Sequence, residues 1–184
     1  MFVIMGASNH SEFERVQHDY YATDPQAVEE LLKVESFDKN ILEPCCGEGH
    51  ISKVLEKHGY MVESSDLIDR NFGAGGVDYL TIKSWHGDII TNPPYKYAKE
   101  FVEHSIKIIN PGQRVAMLLK IQFLESVKRR ELFEENPPKY VYVFSKRTVC
   151  ARNGDFEKTP SSAVCYCWYI WEKGFKGEPV IRWI

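Results

Sequence analysis

Apolar residues along this chain form short continuous runs, separated by stretches in which they recur every three or four positions. The continuous runs predict strands over residues 40–43, 60–65, 88–91, 114–119, 139–144 and 164–171, with residues 179–184 as an additional edge strand. The helical spacing predicts helices over residues 49–58, 96–109 and 125–134, and a first helix that begins at Pro25 with Asp24 as its cap. Strands that alternate with helices predict an α/β fold with a parallel, doubly wound sheet.

The stretch Asn92-Pro93-Pro94-Tyr95 directly follows the predicted strand 88–91. Two prolines fix the backbone and remove two amide donors, so the Asn92 side chain is expected to project forward from the strand end. Such a turn offers two acceptors, the Asn92 side-chain oxygen and the Pro93 carbonyl, to a planar amino group beneath the Tyr95 ring. Taken alone, the tetrapeptide fits equally well a turn that merely ends a strand.

A glycine turn follows the predicted strand 40–43. Gly47 and Gly49 allow a ligand to approach the backbone closely, but Ser52 replaces the third glycine of the dinucleotide fingerprint. Glu43 precedes the turn, so its charge disfavours a pyrophosphate and favours a ligand that carries an ammonium group. Asp66 ends the next predicted strand, at the place where an acid accepts hydrogen bonds from ribose hydroxyls.

Length and composition favour one compact domain over residues 1–184. A chain of 184 residues can bury roughly 70% of the surface of its unfolded state. The five cysteines show neither zinc-ribbon spacing nor an even count, so we expect no disulfide framework and no metal site. No apolar run approaches the length of a membrane span, and a cytoplasmic protein is expected. The net charge of −3 does not indicate a nucleic-acid-binding protein and does not exclude one.

In this order the motifs resemble those of S-adenosylmethionine-dependent amino-methyltransferases, specifically the adenine-specific DNA methyltransferases of the Asn-Pro-Pro-Tyr type. The resemblance extends roughly over residues 18–172 and is strongest to small single-domain enzymes carried by phages and mobile elements. It implies a Rossmann-like, mostly parallel sheet of seven strands in the order 3-2-1-4-5-7-6, with the last strand antiparallel. It also implies S-adenosylmethionine as cofactor. We expect no separate target-recognition domain, which leaves the target sequence, the oligomeric state and the need for a partner subunit open.

The resemblance implies a set of residues that bind the cofactor. The glycine turn contributes Glu43, Pro44, Cys45, Gly47 and Gly49; the following strand contributes Asp66 and Leu67; the remaining positions are Asp78, Tyr79, Asn92, Tyr21 and Thr23. Asp78 and Tyr79 correspond to the contact with the cofactor adenine, and the segment 19–25 to the motif that closes over the methionine end. Thr23 fits a helix cap equally well, Tyr21 fits simple packing, and Glu43 fits a role in orienting the turn.

The resemblance likewise implies a site for a base that is flipped out of its helix. Asn92, Pro93, Pro94 and Tyr95 form the catalytic turn, and Tyr95 stacks on the base. Phe123 is a candidate for the second face of the slot, although core packing at a strand end explains it at least as well. The polar segment 145–158 is expected to lie beside the crevice, where Lys146, Arg147 and Arg152 contact phosphates or only contribute solubility. For the run from Lys128 to Arg130 we favour a solvated helix face.

Three function classes follow. The first is methyl transfer to the N6 amino group of adenine in DNA. The second is the same chemistry on adenine in RNA or on a glutamine side-chain amide of a protein. The third is a cofactor-binding subunit without catalytic activity, against which the intact Asn92 and Tyr95 argue.

Overall fold

The computed structural model describes residues 20–152, 154–157 and 162–184. Thirteen helices and strands position the site within this part of the chain. They are β1 (Tyr21–Thr23), α1 (Pro25–Val34), β2 (Asn40–Glu43), α2 (His50–Lys57), β3 (Met61–Ser64), β4 (Asp88–Thr91), α3 (Ala98–Ile108), β5 (Arg114–Lys120), α4 (Arg130–Glu135), β6 (Tyr140–Val143), β7 (Cys150–Arg152), β8 (Tyr166–Glu172) and β9 (Val180–Trp183).

Seven of the strands form one sheet in the order β3-β2-β4-β5-β8-β6-β9. Only β8 runs antiparallel to its neighbours, β5 and β6. The predicted α/β class with a mostly parallel seven-stranded sheet is therefore confirmed, as is the antiparallel strand near its end. The predicted edge strand is also present, because β9 pairs in parallel with β6.

Both faces of the sheet are covered by helices, as a doubly wound sheet requires. On β5, Val115, Met117 and Leu119 pack in the cluster that includes α3 and α4. Ala116 and Leu118 point to the opposite face and pack with α1 and α2. Alternate residues of one strand thus enter two separate cores, which explains why the strand reads as a continuous apolar run.

The predicted strand order is wrong at one edge. Next to β3 the resemblance implied a further strand, whereas the described residues between β3 and β4 form only an isolated bridge between Ser65 and Ala74 and a 3-10 turn over Tyr79–Thr81. The Asp78 carboxylate accepts a hydrogen bond from the Leu80 amide at 3.0 Å, and the Asp78 carbonyl accepts one from the Thr81 amide at 3.0 Å. These local bonds bend the backbone and compete with a sheet ladder.

The helix predicted over residues 125–134 is shorter than expected. Residues Val127–Arg129 form a 3-10 turn, and the α-helix begins only at Arg130. The Ser126 side chain accepts a hydrogen bond from the Lys128 amide at 3.1 Å, so the chain turns tightly before the helix starts.

The segment 145–158 was predicted to be a polar loop, and this is wrong for its middle part. Cys150–Arg152 form β7, which pairs antiparallel with β1. Thr148, Cys150 and Ala151 are buried. We refer to this two-stranded sheet as the β1–β7 ribbon. Asp19 and Lys158, which belong to the two predicted segments, lie outside the described residues.

Candidate active site

The crevice lies where β2 and β4 run side by side in parallel. β3 lies on the outer side of β2, and β5 lies on the outer side of β4. The strand order therefore reverses between β2 and β4, which makes this the topological switch point of the sheet. Ligands of open α/β sheets bind at the carboxyl ends of strands at such a point. The glycine turn follows β2 and the Asn-Pro-Pro-Tyr turn follows β4, so the two motifs face one crevice.

The Asn92 side chain is oriented by the β1–β7 ribbon. Its Nδ2 donates to the Tyr21 carbonyl at 3.2 Å and to Thr23 Oγ1 at 3.1 Å, and lies 3.8 Å from Cys150 Sγ. A backbone carbonyl can only accept, so the amino group must face Tyr21 and the oxygen must face away. Asn92 Oδ1 is buried and has no hydrogen-bond partner among the described residues. A buried acceptor without a donor is uncommon in folded proteins, and this oxygen is available to accept a hydrogen bond from a ligand.

Tyr95 lies beside Asn92 with its ring half-buried. Its hydroxyl donates to Cys150 Sγ at 3.6 Å, and its ring centroid lies 6.3 Å from that of Tyr21 and 5.9 Å from that of Tyr166. Lys120 Nζ lies 4.9 Å from the centre of the Tyr95 ring. Burial raises the pKa of the Tyr95 hydroxyl well above its usual value, so this group stays a neutral donor.

A cleft of about 150 Å³ opens next to Tyr95. An engineered protein cavity of about this size holds a benzene ring, so the cleft has room for a six-membered planar ring. The residues that line it are Tyr95, Ala98, Leu119, Lys120, Gln122, Phe123 and Arg129.

Phe123 borders this cleft but belongs mainly to the core. Its ring makes edge contacts with Phe133, Tyr169 and Trp171, and the Arg129 guanidinium lies 4.8 Å from its centre. The structure thus shows the core packing that we gave as the alternative, and Arg129 covers a face that a base would need for stacking.

On the other side of the crevice, Asp66 ties the glycine turn to the end of β3. One carboxylate oxygen accepts from the Gly47 amide and the other from the Ile68 amide, both at 2.9 Å, and Arg70 Nη1 lies 3.5 Å from the second. A carboxylate offers about four acceptor positions, so capacity for a further hydroxyl donor remains. Leu67, the next residue, is exposed and free to cover a flat ring.

Gly47 and Gly49 both adopt positive φ angles, 54° and 80°. A Cβ at Gly47 would overlap the Tyr20 ring, and one at Gly49 would overlap the Phe72 ring. The Tyr20 hydroxyl also accepts from the Glu48 amide at 3.2 Å and lies 3.0 Å from His50 Nδ1. The two glycines therefore allow the Tyr20 and Phe72 rings to approach the turn closely, and Tyr20 covers it.

Glu43 is buried beneath the turn. It accepts a hydrogen bond from the Ser52 hydroxyl, and Ser52 lies 2.6 Å from the Ser64 hydroxyl. Burial disfavours its charged form and raises its pKa to about 8. These contacts support the alternative role of Glu43, which is to orient the turn. They also occupy the hydroxyl of Ser52, the residue that replaces the third glycine of the dinucleotide pattern.

Several predicted site residues have a different environment from the one expected. Tyr79 is buried in the core with its hydroxyl 2.6 Å from Ser105 Oγ, so its side chain does not reach the crevice. Thr23 accepts from Asn92, whereas the helix cap is supplied by Asp24, which accepts from the Gln26 amide at 2.9 Å. The cap that was considered for Thr23 is thus supplied by its neighbour.

The predicted basic segment does lie beside the crevice. It contains β7, which is one of the two strands of the ribbon that orients Asn92. Further along the segment, the Phe156 ring lies 5.5 Å from that of His50. Lys146 and Arg147 are exposed, and Arg147 Nη1 donates to the Ser162 carbonyl at 2.7 Å. Arg152 contributes its backbone to β7. Any contact of these side chains with phosphates stays a prediction.

Sequence reasoning missed Cys150, whose Sγ contacts both the Asn92 side chain and the Tyr95 hydroxyl. The local sequence signal is weak, because the apolar run Val149-Cys150-Ala151 is too short to identify a strand. Burial raises the pKa of Cys150 to about 11 and that of Cys46 to about 12, and it raises the pKa of Cys45 strongly. These thiols are therefore protonated at neutral pH, which argues against a cysteine nucleophile.

Among the described residues, no helix is both long and apolar enough to cross a membrane. No three or more histidine, cysteine, aspartate or glutamate side chains in the same ranges are grouped so that they could hold a metal ion.

No protein-family model matches the chain. A comparison with curated proteins also finds no match.

Solved structures with the same fold are nevertheless numerous. A modification subunit assigned to a type I restriction enzyme of Vibrio vulnificus YJ016 matches 92% of this chain and 48% of its own, with a TM-score of 0.65 and 12% identity. A protein of Listeria monocytogenes assigned to the class I S-adenosylmethionine-dependent methyltransferases matches 86% of this chain and 63% of its own, with a TM-score of 0.55 and 15% identity. The 23S rRNA methyltransferase ErmE matches 88% of this chain and 72% of its own, with a TM-score of 0.57 and 15% identity. The chain thus spans about half to two thirds of the first two proteins, and at these identities the similarity establishes a shared class I methyltransferase fold.

Proposed function

We propose that the protein transfers the methyl group of S-adenosylmethionine to the N6 amino group of adenine in DNA. The observation that carries this proposal is the Asn92 side chain, whose amino group is held by Tyr21 and Thr23 while its oxygen is buried without a donor among the described residues. The exocyclic amino group of adenine is a donor that can satisfy this oxygen. The neighbouring cleft has room for a planar ring beside Tyr95.

The residues of the glycine turn and of β3 fit a methionine nucleoside better than a dinucleotide. Asp66 has acceptor capacity for a ribose hydroxyl, and the exposed Leu67 can cover an adenine ring. Ser52, whose hydroxyl donates to the buried Glu43, stands where a dinucleotide site has its third glycine. When bound, this cofactor supplies an electrophilic methyl carbon on a sulfonium sulfur.

Asn92 then has a positioning role in the reaction. The amino nitrogen of adenine is a poor nucleophile because its lone pair is delocalised into the ring. Hydrogen bonds from this amino group to Asn92 Oδ1 and to the Pro93 carbonyl favour a pyramidal nitrogen, whose lone pair points at the methyl carbon. With the cofactor bound, the nitrogen would take the methyl group, the sulfur would keep the electron pair of the broken carbon–sulfur bond, and the amino proton would leave to water, while Asn92 and Pro93 hold the nitrogen in place. Holding two reacting groups in this geometry can lower the barrier by several kcal/mol without a protein nucleophile.

Methyl transfer assays on DNA, RNA and protein substrates test this function. Purified protein is incubated with S-adenosylmethionine carrying a labelled methyl group, and the products are digested and analysed by mass spectrometry. We expect labelled N6-methyladenine in DNA for the wild type and a loss of most of it for Asn92→Ala, with cofactor affinity nearly unchanged because Asn92 contacts the acceptor.

Each other outcome contradicts the proposal in a different way. Label only in RNA adenine or in a protein glutamine amide would retain the chemistry of the amino-binding turn and change the substrate. Cofactor binding without transfer to any of the three would indicate a non-catalytic subunit. Equal turnover of the wild type and Asn92→Ala on DNA would remove the positioning role of Asn92.

A further inference from the structure

The turn that follows β5 carries an unusually exposed apolar side chain at the rim of the cleft. Val127 is 92% exposed, more than any other large hydrophobic residue in the described ranges. Leu124, in the same turn, is 41% exposed. Phe123 and Arg129, on either side of these two residues, line the cleft, so the turn forms its edge. An apolar residue in this position gains nothing from the fold itself.

The turn is held rigidly. The Arg129 guanidinium donates to the carbonyls of Phe123 at 2.7 Å and of Gln122 at 3.0 Å, and also to that of Glu125. The Arg129 amide donates to the Ser126 carbonyl at 3.0 Å. Val127 is therefore presented to solvent by a fixed backbone, which lowers the entropic cost of inserting it between other groups.

The segment between Tyr95 and Ala98, which both line the cleft, carries a similar pair of residues. Tyr97 is 46% exposed, and Lys96 Nζ lies 5.1 Å from the centre of its ring. Next to Val127, the exposed Lys128 repeats this combination of an apolar side chain and a cation. The acidic residues of this region are Glu100 on α3, Glu125 in the turn, and Glu131 and Glu134 on α4, where Glu134 pairs with Arg130 at 2.6 Å. The two lysines beside the cleft thus suit a partner that has both phosphates and flat apolar faces.

We propose that Val127 is a wedge that enters the base stack of a duplex and fills the space left by the flipped adenine, while Lys128 and Lys96 contact the flanking phosphates. This inference rests on the proposed function and deepens it, because it makes double-stranded DNA the substrate. Proteins that kink or open a duplex insert apolar side chains between base steps in this way, and extrusion of a base requires unstacking of its neighbours.

The test compares Val127→Ala with the wild type on three DNA substrates of the same sequence, chosen after the methylated positions have been mapped. They are a fully paired duplex, a duplex with a mismatch opposite the target adenine, and the single strand. Loss of the two methyl groups should lower kcat/KM on the paired duplex about tenfold. The effect should shrink on the mismatched duplex and vanish on the single strand, because those substrates need less unstacking. The fluorescence gain of 2-aminopurine placed at the target in the duplex should fall in parallel.

Val180→Ala is the matched control. Val180 is also exposed, but it begins β9, at the edge of the sheet opposite the carboxyl ends that carry the cleft. It should change neither the duplex nor the single-strand rate. Both variants remove exposed side chains, so thermal denaturation should match that of the wild type.

Two results would overturn the inference while leaving the proposed chemistry intact. One is an equal loss for Val127→Ala on all three substrates, and the other is wild-type activity confined to single strands. A wild type that methylates no nucleic acid at all would instead contradict the proposed function.

Discussion

Asn92 is oriented by residues far away in the chain. The two acceptors of its amino group, the Tyr21 carbonyl and Thr23 Oγ1, are 71 and 69 positions away. The two prolines that follow fix where the side chain starts, but only these contacts decide which of its ends faces the crevice. Thr23 is therefore a positioning residue in our proposal, although the family resemblance assigns it to the cofactor.

Thr23→Val separates these two roles. Valine keeps the shape and removes the acceptor, and loss of one hydrogen bond of about 0.5–1.5 kcal/mol should lower kcat roughly two- to tenfold. We expect KM for the cofactor to stay unchanged and Thr23→Ser to restore kcat, measured by steady-state methyl transfer. A rise in cofactor KM at constant kcat would instead place Thr23 on the cofactor carboxylate.

Glu43 predicts a specific pH dependence of stability. Its pKa is about 8 in the folded protein against an ordinary value of 4.5, so between these pH values the folded state binds more protons than the unfolded state. The free energy of unfolding should therefore fall as pH rises through this window, by a few kcal/mol. Glu43→Gln should remove this component, as measured by urea denaturation at a series of pH values.

The comparison between variants is decisive here, since burial also raises the pKa of Asp88 and adds to the wild-type slope. Glu63→Gln serves as the control, because Glu63 lies exposed on the adjacent strand β3. An unchanged pH slope in Glu43→Gln would show that Glu43 is ionised in the folded protein at neutral pH.

At the scale of elements, the β1–β7 ribbon contacts the Asn-Pro-Pro-Tyr turn from both of its strands. β1 supplies the acceptors for Asn92, and β7 supplies Cys150 between Asn92 and Tyr95. The segment that leads into β7 carries Lys146 and Arg147 on the surface beside this ribbon. If these cations bind DNA phosphates, they act next to the catalytic turn.

Replacing Lys146, Arg147 and Arg152 by alanine should weaken DNA binding at all sequences alike. It should also flatten the dependence of log affinity on log salt concentration, by about one unit for each phosphate that the variant no longer neutralises. The measurement is a binding titration over a salt series, with Lys33→Ala/Lys57→Ala on the exposed ends of α1 and α2 as control. Parallel slopes for the triple variant and the wild type would exclude this segment from the binding surface.

At the scale of the whole molecule, the sheet brings two loops together that are remote in sequence. The parallel pairing of β2 with β4 places the glycine turn and the Asn-Pro-Pro-Tyr turn at one edge. Donor and acceptor of the methyl group would therefore meet at a point that neither loop forms alone. Binding of the cofactor should be measurable without any substrate, since its proposed contacts belong to the β2 and β3 side.

S-adenosylmethionine or its demethylated product should raise the stability of the protein by about 2.7 kcal/mol at a hundredfold excess over its Kd. Asp66→Ala should weaken this binding by roughly 1.5–3 kcal/mol, the typical value for a hydrogen bond to a charged group. Asp66→Asn is the control for structural damage, because it retains an acceptor for one of the two amides of the turn. Calorimetry that shows tight NAD binding and no binding of either methionine nucleoside would overturn the cofactor assignment.

The sequence by itself determined the class of the fold and the positions of the two turns. Strand and helix periodicity are local properties. Proline restricts the backbone and glycine permits positive φ wherever they stand, so both signals can be read from the sequence alone. The tertiary structure decided the rest. It replaced the expected strand beyond β3 with a turn at Asp78 and placed β9 at the other edge, and it paired Tyr21 with Arg152 in the ribbon. It also decided which end of the Asn92 amide is left without a partner among the described residues, because that depends on hydrogen bonds between residues about 70 positions apart, which no local pattern specifies.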